Sequence, residues 1–228
     1  MTPKDYYNKI ANKYDEVYAK PYFQIENDFI LAEIRKNCNL AIGKVLDLGC
    51  GTGMLLDEQY CADYTGVDIS AMMVNLARKK HPHKYFVIDQ ASEYVRHIAQ
   101  VGMKYDVILA LFGSPSYFRK EYFYALNQIA KPGAYGYLMY YNKTHHDPYI
   151  YGMNGSDVER TGITPMEAIN LAAQIKGAVT VEGHYIPDGM RKKESYPRFM
   201  IKRKLHKANK PGRRLGDSNY ITLKIKWD

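Results

Sequence analysis

Short apolar runs alternate with stretches of helical period along this chain. The runs "KVLDLG" (44–49), "YTGVDI" (64–69), "KYFVID" (84–89), "YDVILALF" (105–112) and "YGYLMYY" (135–141) predict strands. Between them lie a short helix from Gly53 to about Tyr60 and the helical stretches "AMMVNLARKK", "EYVRHIAQVG" and "KEYFYALNQIA". The last stops before a turn at "KPGA". Ser70 and Ser92 stand where a hydroxyl caps a helix by accepting from an orphan amide. Ahead of the first strand, the segment from Tyr6 to Cys38 reads as helical with a break at Pro21. Near the far end, "TPME" (164–167) is a capping box, with Thr164 as cap, Pro165 at the first helical position and Glu167 reaching back. Two more strands follow, "AVTVEGHYI" (178–186) and "NYITLKIKW" (219–227). In the last, Ile221, Leu223, Ile225 and Trp227 alternate with polar residues, which predicts one buried face.

Apolar strands separated by helices make a doubly wound α/β sheet, mostly parallel, with helices on both faces. At 228 residues with 46% apolar content, a single domain over 1–228 is the expectation. Within it, residues 1–40 form an N-terminal helical cap, and 187–218 are a long insertion between the last two strands. No secretory signal is visible at the N-terminus, and the longest apolar run, 107–112, is too short to span a bilayer. Cys38, Cys50 and Cys61 form no C-x-x-C pair, so reduced thiols in a cytoplasmic protein are expected rather than disulfides or zinc.

The net charge of +8 is unevenly spread. From Met190 onward there are thirteen Lys or Arg against three Asp or Glu, while the rest of the chain is near neutral. That asymmetry points to an anionic partner, or simply to a solvated basic surface. Basic residues interleaved with Tyr196, Phe199, Met200 and Leu205 suggest a folded lid, with those apolar residues as anchors.

The chemistry is most legible at "KVLDLGCGTG" and "GVDIS". In such a sheet, ligands sit at the carboxyl ends of strands where strand order reverses. The turn Gly49-Cys50-Gly51-Thr52-Gly53 lies at such an end, where glycine lets the backbone approach a ligand. Asp68 closes the next strand and can accept both hydroxyls of a ribose, because an ionised acid only accepts. The spacing is G-x-G-x-G, which is not the G-x-G-x-x-G of dinucleotide folds.

These motifs resemble the class I S-adenosylmethionine-dependent methyltransferases. The likeness rests on "VLDLGCGTG", "GVDIS", "FVIDQA" and "YDVILALFGSPSYF", in order, and covers roughly residues 5–142. It implies a seven-stranded sheet whose last strand is antiparallel, with S-adenosyl-L-methionine as methyl donor. It also implies roles residue by residue. Asp47 would orient the loop and the methionine amino group. Gly49, Cys50, Gly51 and Gly53 would line the methionine end and the ribose. Asp68 would hold the ribose hydroxyls, and Ile69 and Met72 would flank adenine. Asp89 and the amide of Gln90 would recognise the adenine amine, Leu111 would offer its carbonyl to the ammonium, and Tyr14 would cover the cofactor.

The acceptor half is less specific. "FGSPSYF" resembles a segment of small-molecule methyltransferases and, in part, the (D/N/S)-P-P-(Y/F) motif of nucleic-acid amino methyltransferases, with Ser116 in place of the second proline. Ser114 and Tyr117 are the candidates it offers. His145 or His146, just past the fifth strand, could act as base. Adjacent histidines without a distant third ligand do not make a metal site, and none is expected. The first expectation is methyl transfer to O or N of a small, anionic acceptor, with no membrane association. RNA or DNA base methylation is the second, and a non-catalytic S-adenosylmethionine-binding protein the third.

Overall fold

The computed structural model describes residues 1–144, 161–186, 197–208 and 214–228. Two helices open the chain, α1 (Pro3–Tyr18) and α2 (Pro21–Arg35). Each begins on a proline, whose missing amide costs nothing in a first helical turn. Thr2 caps the first by accepting from the amide of Asp5, and Pro21 separates the two as its sequence position predicts.

The chain then runs β1 (Lys44–Leu48), α3 (Met54–Glu58), β2 (Asp63–Asp68), α4 (Ala71–Lys80), β3 (Tyr85–Ile88), α5 (Ala91–Gln100), β4 (Tyr105–Ala110), α6 (Leu126–Ile129), β5 (Ala130–Tyr141), α7 (Pro165–Ala172), β6 (Gly177–His184), α8 (Arg198–Ala208) and β7 (Tyr220–Trp227). The strands form one sheet in the order β3-β2-β1-β4-β5-β7-β6. Pairings from β3 across to β5 are parallel, and β7 runs antiparallel to both β5 and β6. This is the doubly wound sheet with an antiparallel last strand that the sequence predicts. Strand order reverses between β1 and β4, where Asp47 is flanked by Gly66 and Leu109.

Alternation along the strands divides the core. Val45, Val107, Leu109, Tyr137 and Met139 pack with Ile30 and Ile34 of α2, Val74 of α4 and Ile201 and Leu205 of α8. Leu46, Leu48, Ile108, Leu138 and Leu223 face the other way, onto Val95 of α5, Ile129 of α6 and Leu171 of α7. Helices therefore cover both faces. Buried Glu26 of α2 faces His184 at the end of β6, 3.3 Å apart, so the N-terminal helices are tied to the far edge of the sheet.

Ser70 caps α4, accepting from the amide of Met73 at 3.2 Å, and Thr164 and Glu167 close the capping box of α7. Four local expectations are corrected. Ser92 sits inside α5, whose N-cap is Gln90, and its hydroxyl instead accepts from the amide of Arg119 at 2.8 Å. The "KPGA" turn is a bulge within β5: register jumps from Tyr105 opposite Ala130 to Val107 opposite Tyr135, with Gly133 at φ +75°. In β7, Tyr220 and Thr222 are buried as well as the apolar set, because the strand is interior and both its faces are covered. Within 187–218, the anchors of α8 are Ile201 and Leu205, spaced four apart on one face. Met200 is only partly buried, Phe199 points to solvent, and Tyr196 lies outside the described residues.

Candidate functional site

A cavity of about 460 Å³ opens at the carboxyl ends of β1 and β4, where strand order reverses. Its floor is the glycine turn. Gly49, Gly51 and Gly53 have φ of +80°, +55° and +82°, a region that side chains with a Cβ rarely enter. The turn is held from below by backbone bonds, with the amides of Gly49 and Cys50 donating to the carbonyl of Val67 at 2.7 and 3.0 Å.

Asp68 fastens this turn to β2. One carboxylate oxygen accepts from the Gly51 amide at 2.9 Å, the other from the Ser70 amide at 2.8 Å. A carboxylate has about four acceptor positions, so each oxygen keeps capacity for a ligand donor. Burial raises the Asp68 carboxyl above its ordinary range, and the amides of Ser70, Gly51 and Ile69 oppose the shift.

Asp47 lies deeper, 3% exposed, with Tyr64 Oη donating to it at 2.8 Å. Burial pushes its carboxyl up to about 7; the Tyr64 bond opposes and the charge of Asp68 adds. A raised acid has a definite linkage sign. The unfolded carboxyl releases its proton near pH ~3.9, whereas the folded one holds it to about 7. The folded state therefore binds more protons in that window, and stability falls as pH rises from about 4 to about 7. Asp47→Asn, which keeps an acceptor for Tyr64, should flatten that decline. Denaturant titrations at several pH values measure it, and identical slopes for both proteins would refute the assignment.

Helix α1 forms the roof. Asn8 and Asp15 are seven residues apart and face the same way. Asn8 Oδ1 accepts from Ser70 Oγ at 2.7 Å and from the Met72 amide at 3.2 Å. Asp15 bonds Thr52 of the glycine turn and pairs with Lys80 of α4 at 3.0 Å. Tyr7 and Tyr14, each one residue earlier, are thereby set into the cavity wall.

The structure brings together most of the residues singled out from sequence. Tyr14, Asp47, Gly49, Cys50, Gly51, Asp68, Ile69, Gln90 and Leu111 line the cavity, as do Ser114 and Tyr117. Three of the twelve cofactor candidates do not. Gly53 is the N-cap of α3, packed against the His81 ring. Met72 is 40% exposed on α4, and its neighbour Met73 faces the cavity instead. Asp89 folds its carboxylate back onto the Gln90 amide at 2.7 Å, the same amide expected to face adenine. His145 and His146 lie outside the described residues. Among the described residues, no group of three His, Cys, Asp or Glu side chains could hold a metal ion.

Sequence reasoning missed Tyr7, Asn27, Met54 and Phe112, all in the wall. For Tyr7 a signal exists in the heptad spacing with Tyr14. Phe112 has φ +51°, uncommon for a bulky residue, and Gly113 follows at +85° with the Tyr141 ring lying where a Cβ would be. This double left-handed step turns the chain sharply out of β4 and leaves Ser114 donating to the Leu48 carbonyl at 2.9 Å.

Residues 45–133 match the family described as Methyltransferase domain. The chain spans 30% and 60% of the lengths of two curated relatives it matches. The second is a ubiquinone biosynthesis O-methyltransferase of Azoarcus sp., 29% identical over 142 residues, 60% of this chain. Among solved structures, a Thermotoga maritima S-adenosylmethionine-dependent methyltransferase, a possible histamine N-methyltransferase, superposes with a TM-score of 0.65 at 14% identity, covering 99% of both chains. The plantazolicin methyltransferase BamL, solved with a triazolic desmethylPZN analog and SAH, gives 0.63 at 17% identity, covering 96% of this chain and 90% of its own.

Proposed function

We propose that this chain, a class I S-adenosylmethionine-dependent methyltransferase, transfers a methyl group to an oxygen or nitrogen of a small acceptor held beside Tyr7 and Tyr117. The observation that carries this reading is the bare glycine turn fastened by Asp68 at the strand-order reversal. The cavity fits the donor in shape and charge. A Cβ at Gly51 would meet no protein atom within 4 Å, so the backbone there is open to a ligand. Asp47, Asp68 and Glu58 line the wall against one cation, Lys4, among the described residues, which suits a donor bearing a sulfonium and an ammonium.

Bound S-adenosylmethionine supplies an electrophilic methyl group. The protein's own work is alignment, and positioning alone is worth several kcal/mol in such displacements. Asp68 would accept the ribose hydroxyls with its remaining lone pairs. Asp47 and the Leu111 carbonyl would receive the ammonium. Gln90 and Ile69 would border the adenine. Tyr7 and Tyr14, fixed through Asn8 and Asp15, would exclude water above.

Charge on the basic insertion bears on a small anionic acceptor only if its cations reach the cavity, whereas a nucleic acid could be held from outside it. In the described part, Lys202 and Arg203 are exposed on α8, and Arg198 pairs with Asp28 at 3.4 Å. None of them lines the cavity. Those described cations lie outside the cavity, where they act on encounter rates and salt dependence. A cytoplasmic location belongs to the same proposal, in keeping with three free cysteines. Among the described residues, no helix is long and apolar enough to cross a membrane.

The test is direct. Calorimetry should show one S-adenosylmethionine site per chain, and incubation with pooled small-molecule acceptors should release S-adenosylhomocysteine. Absence of donor binding would overturn the reading. Binding without turnover on any acceptor would leave a non-catalytic binding protein. Turnover only on polynucleotides, with affinity falling steeply in salt, would replace the small acceptor by RNA or DNA.

A further inference from the structure

Asn27 is a buried amide in the cavity wall whose bonding is incomplete. It is 6% exposed and belongs to α2, where Leu31, one turn later, lines the same cavity. Ile30 and Ile34 of that helix pack into the core instead. The Asn27 NH2 group donates one hydrogen to the Met54 thioether at 3.2 Å. Such a sulfur is a weak acceptor. Among the described residues, nothing else bonds its second N–H or its oxygen. Buried amides are ordinarily bonded, because leaving their capacity unmet costs free energy. An amide held this way at a cavity wall is completed by what enters the cavity.

Position decides which ligand group that is. Asp68 ends β2, and Gln90 caps α5 just after β3. A donor with its ribose at Asp68 and its adenine at Gln90 sends its methionine portion the other way, over the glycine turn. Met54 follows Gly53 directly at the start of α3, and Asn27 meets the cavity there. The methionine portion ends in an ammonium and a carboxylate. Asp47 and the Leu111 carbonyl suit the ammonium, but as acceptors they offer the carboxylate nothing. Glu58 and Asp68 add charge of the same sign as the carboxylate. Among the described wall residues, Lys4 is the one cation. It stands one turn before Asn8, which is bonded to Ser70 and the Met72 amide just past β2. That places Lys4 on the adenosine side. Asn27 is the side-chain amide that remains at the methionine end.

Resting on the reading that the glycine turn holds the methyl donor, we propose that Asn27 binds the donor's carboxylate through its second N–H and selects ligands that keep this group. A bond to an ionised acceptor belongs to the stronger class. A neutral amide supplies it without adding positive charge, so the acidic wall still favours the ammonium and the sulfonium.

The test uses the full chain and two probes, S-adenosylmethionine and decarboxylated S-adenosylmethionine, which differ only in the carboxylate. Each is titrated by calorimetry into the parent and the variants. Asn27→Leu keeps the bulk and removes the donor. It should weaken S-adenosylmethionine about tenfold or more, and the decarboxylated probe by about threefold or less. Asn27→Asp sets a negative charge against the carboxylate. It should weaken S-adenosylmethionine further, by about a hundredfold, while the decarboxylated probe binds as well as before or better. Asn27→Ala is the second variant if circular dichroism shows Asn27→Leu misfolded. Unchanged affinity for S-adenosylmethionine would overturn the proposal. So would an equal loss for both probes, because the side chain would then shape the cavity without reading the carboxylate. In either case the parent still binds S-adenosylmethionine, and the donor reading stands. A parent protein that binds neither probe would refute the donor reading, and the proposal with it.

Discussion

Asp68→Ala should lower S-adenosylmethionine affinity by about a hundredfold or more, on the order of 3 kcal/mol, while the protein stays folded. Two losses combine. The carboxylate would no longer take the ribose hydroxyls, and bonds to an ionised acceptor belong to the stronger class. The turn would also lose its fastening, because Asp68 accepts from the Gly51 and Ser70 amides at 2.9 and 2.8 Å. Asp68→Asn should fall between. Its amide oxygen can replace one acceptor, but its NH2 group would face an amide donor on the other side. Folding is not the confounder here. Burial already disfavours the Asp68 charge, so removing it relieves a desolvation cost as it breaks the two bonds. Calorimetry with thermal denaturation as the control measures both effects. Equal affinity in Asp68→Ala and the parent would exclude this carboxylate from the site.

The sheet was readable because the inner parallel strands β1 and β4 are buried on both faces and so appear as apolar runs, and because helices separate the runs. The glycine turn and Asp68 were readable for a different reason. A backbone that approaches a ligand must lack side chains, and the acid must close the neighbouring strand, so the requirement is local in sequence. Ser92 shows the limit of local reasoning. Its hydroxyl had a plausible helix to cap, but the Arg119 amide, 27 residues on, claims it instead. Asp89 follows β3 directly, yet the orientation of its carboxylate depends on its bond from the Gln90 amide, which spacing does not reveal. The predicted face of β7 is buried; its second buried face, with Tyr220 and Thr222, escaped because helices α2 and α8 cover it, a property of tertiary packing. The series of tyrosine rings that runs from the cavity into the core, Tyr14 to Tyr7, Tyr117, Tyr141 and Tyr220, is the extreme case. Its members lie as far apart as Tyr7 and Tyr220, and only the topology brings their rings together. In a chain with 22 tyrosines, no local pattern marks Tyr117, Tyr141 and Tyr220 as ring partners.

The glycines of the turn should separate into distinct roles when substituted. Gly51→Val should abolish measurable donor binding, a loss of a hundredfold or more, at a stability cost of only about 1–2 kcal/mol. At φ +55° the backbone is left-handed, which is the source of that cost for a residue with a Cβ. A Cβ there meets no protein atom within 4 Å, so nothing in the fold opposes it. The added side chain instead enters the cavity that Gly51 lines, where the donor's ribose and methionine portions would sit. Gly49→Ala should do the reverse. Its Cβ would stand 2.5 Å from Ser114 Cβ, and Ser114 is held by its own bond to the Leu48 carbonyl, so it cannot simply swing aside. The expected result is a stability loss of about 1–3 kcal/mol, from a clash in packed surroundings together with left-handed strain. Any fall in affinity would then follow from the shifted turn rather than from blocked space. Gly51→Asn supplies the control for strain, since asparagine tolerates the left-handed region better than valine while still placing atoms in the cavity. Denaturant titration and calorimetry on the three variants test the division. If Gly51→Val binds S-adenosylmethionine like the parent protein, the donor does not lie against this turn, and the assignment of the cavity fails with it.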